Sequence, residues 1–297
     1  MGDSVKRLLI PLSLLLLLFS SCNSQTVLVV SDPYISLIEG ETWGPLRLDF
    51  IVKARLSGFK IVKEQTGPEL DLSELLSQNI PETTSPDIVV LSPWNARSLN
   101  KLTGSAMRYI IAGGNLPENP QDLELPNLSA VVPDRSEIMR QLGKLSREIT
   151  TSSGKPAFAL FSLETENQKK ERNSLLEAFE NSDDITVREI KPLQNRGVTA
   201  LPADFADIAE NASVLLLFAG PLNITALSVS DEFLIPVITE SINSSSAWYD
   251  RIVASVEDNQ KALSLALLSE MKVENPEGVR YYPARLSKGV LFGSKSR

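Results

Sequence analysis

The side chains that could do chemistry in this sequence are carboxylates, amides and aromatics, because the usual catalytic nucleophile and base are all but missing. Among 297 residues there is no histidine and a single cysteine, Cys22. Neither a Ser-His-Asp triad nor a Cys-His pair can form, and His-ligated zinc or haem is excluded. One thiol allows no intrachain disulfide and no cysteine-cluster metal site. An enzyme on this chain would have to use carboxylates, lysine or tyrosine, or an oxygen-liganded cation. Glycoside hydrolysis runs on two carboxylates. Asp32 with Glu240 is the pair that could be nominated, and nothing in their spacing requires it. Neither a Walker loop nor a GxGxxG sequence occurs. No enzymatic activity, cofactor or metal is expected.

Small-ligand binding needs less: aromatic walls and a few placed polar groups. An aromatic face stacks on a base or sugar ring, and a carboxylate accepts two hydroxyl or amino donors. The candidates are Asp32, Tyr34 and Trp43 early in the chain, Ser92, Trp94 and Asn95 further on, and Asn223, Glu240 and Trp248 late. All three tryptophans follow the ends of predicted strands. Each candidate also has a plainer reading, since a tryptophan near a loop can close a core and an aspartate can cap a helix.

The elements that would position these residues alternate strand and helix. Apolar or β-branched runs at 26–30, 60–64, 87–91, 108–112 and 129–132 read as five strands. A second five follow at 157–161, 185–190, 213–218, 234–239 and 251–256. Such runs suit strands buried on both faces. Between them lie helical segments, one near 44–57 with Leu48, Ile51, Val52 and Leu56 at helical spacing. Asp134 and Glu137 resemble a capping box, and Ser255 and Asp258 are placed to cap a helix running to about Met271. YYPARL and GVLF in the tail read as terminal strands. Two sets of five strands separated by helices predict an α/β protein of two doubly wound, Rossmann-like lobes. Ligands bind such sheets outside the carboxyl ends of the strands, which places the site in an inter-lobe cleft.

Composition narrows the partners. With 29 basic and 37 acidic residues the net charge is −8, which argues against a nucleic-acid binder. At the N-terminus, Lys6 and Arg7 precede an apolar stretch from Leu8 to Phe19, then Ser20, Ser21 and Cys22. The stretch is shorter than the ~20 residues of a spanning helix and suits a signal-peptide core. It resembles a bacterial lipoprotein signal, with Phe19 where leucine or valine is usual. That resemblance implies acylation of Cys22 and a membrane-anchored body facing the periplasm or the cell exterior.

Further segments carry a second resemblance: VLVVS near the start, DIVVLSPWNARSL, AVVPDRSEI, KKERNSLLEAFEN, NASVLLLFAGPLNITAL and RIVASVEDNQKALSLAL. Together they resemble the type I periplasmic binding proteins, the superfamily of sugar receptors and purine-nucleoside lipoproteins. With the N-terminal signal giving a signal peptide at 1–21 and a lipidated tether at 22–25, the likeness implies one lobe of 26–132 plus 253–275, and a second of 133–252 plus 276–297. It departs from the family where Gly113, Gly114 and Asn115 replace an Asp-Arg pair and Gly220 and Pro221 replace Asn-Asp. Glu240 matches a family aspartate. The function implied is a lipid-anchored solute-binding protein that delivers a small polar ligand, nucleoside or sugar-like, to an ABC-type permease. The alternative is a non-transporting structural or sensory lipoprotein whose cleft is closed or empty.

Overall fold

The computed structural model describes residues 24–66, 72–77, 86–93, 95–96, 99, 107–114, 125, 127–162, 166–180, 182–190, 200–220, 222–240, 249–274 and 278–288. Cys22, Trp94, Trp248 and the GVLF tail lie outside these residues, as does the side chain of Tyr34.

The chain begins with β1 (Gln25–Ser31), α1 (Pro33–Ile38), α2 (Leu48–Leu56), β2 (Phe59–Gln65), α3 (Leu72–Ser77), β3 (Ile88–Leu91), β4 (Arg108–Ala112) and β5 (Leu128–Asp134). It continues through α4 (Ser136–Ser153), β6 (Ala157–Ser162), α5 (Glu166–Leu176), β7 (Ile185–Ile190), α6 (Phe205–Asn211), β8 (Leu215–Phe218), α7 (Leu222–Val229), β9 (Val237–Glu240) and β10 (Ile252–Glu257). It closes with α8 (Gln260–Met271), β11 (Gly278–Pro283) and β12 (Arg285–Lys288).

These strands form two six-stranded sheets, ordered β11-β5-β4-β3-β1-β2 and β12-β10-β9-β8-β6-β7. Every neighbouring pair is parallel except β10 with β12. In β1 the alternation of side chains sends Val27 and Val29 into one core and Leu28 and Val30 into the core on the other face. All four have zero exposure. In β6, Phe158 and Leu160 face one core while Ala159 and Phe161 face the other. This burial on both faces is what a run without polar alternation encodes.

The described chain passes between the sheets three times. Arg135 joins β5 to α4, which packs on the second sheet through Met139 and Leu142. Asp258 and Asn259 join β10 to α8, whose Leu263, Leu267 and Met271 enter the first core. Ala284 joins β11 to β12. The crossings expected near 252 and 276 therefore fall at 258 and 284. The strand at 252–257 extends the second sheet by pairing with β9, and the one at 278–283 extends the first by pairing with β5 over six residues. Polar alternation in the tail hid β11 as a partner of a buried sheet.

Helix ends also differ from the sequence reading. Asn259, and not Ser255 or Asp258, caps α8, its Oδ1 accepting the Ala262 N–H at 3.1 Å. No capping box forms on α4, because the Glu137 carboxylate turns to Arg140 and Gln141. In α2 the buried residues are Phe50, Ile51 and Ala54, while Leu48 and Leu56 are exposed. The turn at Gly44 sets that rotation by pressing against α8: a Cβ on Gly44 would lie 2.9 Å from Leu263.

Helices α4 and α5 approach most closely at Gly143, where a Cβ would lie 2.2 Å from the Leu175 carbonyl oxygen and 3.1 Å from Ala178 Cβ. Gly143→Ala should gain about 1 kcal/mol in helix propensity yet lose roughly 1–3 kcal/mol to overpacking. Urea denaturation should show a lower midpoint than the parent. A higher one would mean that the helices can separate freely.

Candidate functional site

At the carboxyl ends of the first sheet, polar side chains serve the backbone. Asp32, with zero exposure, caps α1, its Oδ1 accepting the Ile35 N–H at 2.9 Å. Asn95 donates to the Val30 carbonyl at 3.3 Å and accepts from the Thr66 hydroxyl at 2.9 Å. Thr66 in turn lies 3.2 Å from the Ser31 carbonyl, so this trio ties the ends of β1 and β2 together. Ser92 is fully buried.

The second lobe and the crossings build a charged cluster. The Arg135 guanidinium donates from Nη1 to Glu240 Oε2 at 2.9 Å. It donates from Nη2 and Nε to Asp258 Oδ1 at 2.6 and 3.2 Å. The Arg135 and Asp258 side chains are each 14% exposed and that of Glu240 is 17%. The other Glu240 oxygen accepts the Gly220 N–H at 2.9 Å and the Asn223 amide at 3.4 Å. Asn223 also accepts the Ala219 N–H at 2.8 Å, so this amide and Glu240 bind the ends of β8 and β9 together. One cation thus joins the first crossing, the second crossing and a second-lobe strand end.

Other ionisable groups face this cation or its partner Asp258. Glu171 on α5 is 9% exposed and accepts the Asn167 amide at 3.0 Å. Burial pushes its carboxyl up to about 7; Arg135 pulls it down, while Glu240 and Asp258 push it further up. Glu39, just past α1, is likewise raised to about 7, first by burial and then by Asp258, against hydrogen bonds from Thr42 and Gln260. Burial alone would weaken the charge on Arg135, but Asp258, Glu171 and Glu240 outweigh it and hold the guanidinium protonated. Tyr282 on β11 is buried beside Asp258, and both effects push its hydroxyl well above the usual range. Among the described residues no three acidic, histidine or cysteine side chains converge as a metal site.

The residues proposed from sequence therefore separate. Asn223 and Glu240 meet. Asp32, Ser92 and Asn95 sit at strand ends but are buried. Trp43 is a correction: at 1% exposure it belongs to the first core with Phe50 and Leu263, because the Gly44 turn tucks it beneath α8. Asp32 and Glu240 make no acid–base pair, one being a helix cap and the other an ion-pair partner. Arg135, Asp258, Glu171, Glu39 and Tyr282 were missed. The signal for two of them was available: Arg135 and Asp258 directly follow strands. A pocket of about 420 Å³ lined by Gln25, Asp87, Arg108 and Met271 opens at the amino ends of the first sheet. That is the wrong end for a doubly wound site.

A scan against family profiles and a search of curated proteins find nothing that matches the sequence. Solved structures do match the fold. A solute-binding protein of an ABC transporter system from Aeropyrum pernix K1 gives a TM-score of 0.58 at 13% identity, over 89% of this chain and 76% of its own. A periplasmic ribose ABC transporter from Conexibacter woesei gives 0.55 at 14%, over 90% and 93%. The ABC domain in complex with L-Trp from Streptococcus pneumonia gives 0.55 at 17%, over 90% of each chain. With its two parallel-stranded lobes and three crossings, the chain has the fold of the type I periplasmic binding proteins.

Proposed function

We propose that this protein is a lipid-anchored solute-binding protein of the cell envelope, a carrier and not an enzyme, that hands a small polar molecule to an ABC-type permease. The observation that carries the reading is the convergence of strand ends from both sheets on the Arg135–Asp258–Glu240 cluster. In this architecture the ligand would bias a two-state hinge equilibrium by touching both lobes at once. Glu240 and Asn223 are the second-lobe contacts of this reading, with Tyr34, Trp94 and Trp248 as its aromatic walls and Asp32, Ser92 and Asn95 as its first-lobe edge. The ribose and L-Trp named for the neighbouring structures support a small solute and leave its class open.

One observation favours a second reading. Arg135 already fills the junction with its own charge, as a self-closed structural or sensory lipoprotein would require. Native mass spectrometry of gently extracted protein separates the two. A carrier should hold one solute per chain, and X-ray scattering should show contraction when that solute is restored. An empty protein that never contracts would sink the carrier reading.

Two substitutions test its parts. Cys22→Ala should move the protein from the detergent phase to the aqueous phase on partitioning, since a diacyl anchor adds ~0.8 kcal/mol for each buried CH₂. Unchanged partitioning would remove the anchor. Arg135→Met leaves Asp258 and Glu240 largely buried without a cation, a loss of about 3–5 kcal/mol for a broken buried pair. Urea unfolding should show it, and an unchanged midpoint would mean that the cluster does not couple the crossings.

A further inference from the structure

We infer that the first lobe rests on the membrane through α2, whose apolar stripe and flanking basic side chains dock on a bilayer carrying anionic phospholipid. This rests on the lipid-anchored reading above and deepens it, since an anchor fixes one end of the chain and no face of the body. The first ground is an exposed apolar row. Leu48, Val52 and Leu56 recur every fourth residue and so form one stripe along α2. They are 77%, 48% and 72% exposed, while Phe50, Ile51 and Ala54 on the other side of the helix enter the first core. Leu265 on α8, the helix packed beside α2, adds a further apolar side chain at 48%. A lone exposed leucine is ordinary, but a row repeated along a helix marks a surface for an apolar partner.

The second ground is charge. From 47 to 63 the basic residues are Arg47, Lys53, Arg55, Lys60 and Lys63, and the one acid is Asp49, in a chain whose net charge is −8. Asp49 is paired with Arg47 at 2.9 Å. Helical spacing places Arg55 on one side of the stripe and Lys53 on the other, and both are exposed. Lys60 and Lys63 continue the basic surface, exposed, along the edge strand β2. Lysine and arginine lay their apolar stems on such a surface and lift the charged end to the lipid phosphates. A protein could match the apolar row alone; a basic border on an acidic chain favours an anionic lipid surface.

The third ground is reach. Gln25 opens β1, and its N–H donates at 3.1 Å to the carbonyl of Gly58, two residues beyond Leu56. Three residues of fully extended chain span at most about 11 Å. An acyl group on Cys22 therefore holds lipid within that distance of Gln25, beside one end of the stripe. The stripe itself runs about 12 Å from Leu48 to Leu56, at 1.5 Å per residue. A tether this short keeps α2 at high effective concentration over the bilayer, so weak apolar and ionic contacts suffice to choose the face that docks.

The test uses the natively expressed, detergent-extracted protein, reconstituted into phosphatidylcholine vesicles with and without phosphatidylglycerol. Flotation on a density gradient reports the anchor. Cys22 is the only thiol of the parent, so once it is acylated an environment-sensitive thiol dye reacts only at an introduced cysteine. Val52→Cys places the dye on the stripe; Val229→Cys, at a residue 40% exposed on the second lobe, is the control. Doxyl-labelled lipid should quench the dye at position 52 and leave that at 229 unchanged, and only when phosphatidylglycerol is present. Adding Lys53→Gln and Arg55→Gln should lower the docked-to-undocked ratio about twentyfold, at about fivefold for each basic residue. Both side chains are exposed, so this variant should melt with the parent. Flotation without quenching at 52 overturns the docking and keeps the anchor. Quenching that is equal without phosphatidylglycerol, or shared by 229, also overturns it, because then no anionic surface or no single face is chosen. A blue shift at 52 without quenching would mean that a second copy covers this face, and does the same. Dye uptake by the parent at Cys22, with no flotation, removes the anchor and the docking together.

Discussion

One guanidinium sets the relation between the two lobes. Arg135 follows β5 without an intervening residue, and Asp258 follows β10. Their hydrogen bonds therefore hold two of the three crossings side by side, while Glu240 adds the end of a second-lobe strand. Only arginine could serve all three contacts, because its planar fork offers donors in two directions and its charge survives burial. Such a triad is a poor source of stability, since desolvating three charges offsets most of their attraction. Its effect is geometric. The cores do the folding, and the ion cluster fixes where one core stands against the other.

That division of labour explains the neighbouring details. Asn259 caps α8, which leaves the Asp258 carboxylate for Arg135 instead of for a helix end. Asn95 and Thr66 bind the ends of β1 and β2, and Asn223 binds those of β8 and β9, so strand ends stay rigid on either side of the crossings. With each lobe stiff and buried on both sheet faces, the few residues at 135, 258–259 and 284 are where rotation can be absorbed. Hinges of this kind are a handful of element-terminal positions.

The fold was legible because its strands announce themselves: a run such as Val27–Val30 has no polar face to offer water, and only a sheet covered on both sides can take it. The edges were less legible. β11 exposes Val279 and Tyr281, so its sequence does not say which sheet it joins; pairing with β5 decides that. In the candidate site, the meeting of Glu240 and Asn223 was legible because one strand end lies beside the next. The rest of it was hidden where local pattern offered a cheaper explanation. Asp134 and Glu137 have the spacing of a capping box, which masks Arg135 between them, and Asp258 has the place of a cap. Trp43 failed for a tertiary reason, since the chain turns at Gly44 and carries the ring under α8. Glu171 lies in mid-helix with no strand end beside it, and its importance comes from what the other lobe's crossing brings to it.

Two glycines stand beside carboxylates of the cluster. Gly113 and Gly220 each follow a strand end and carry no side chain toward a neighbouring carboxylate. At Gly220 that carboxylate is Glu240, which takes the N–H. At Gly113 it is Asp258, which approaches without taking a bond. A molecule that engages Asp258 must do so beside Arg135, in the field of Glu171 and Glu39. On the solute-binding reading proposed above, binding and lobe position would draw on the same charges.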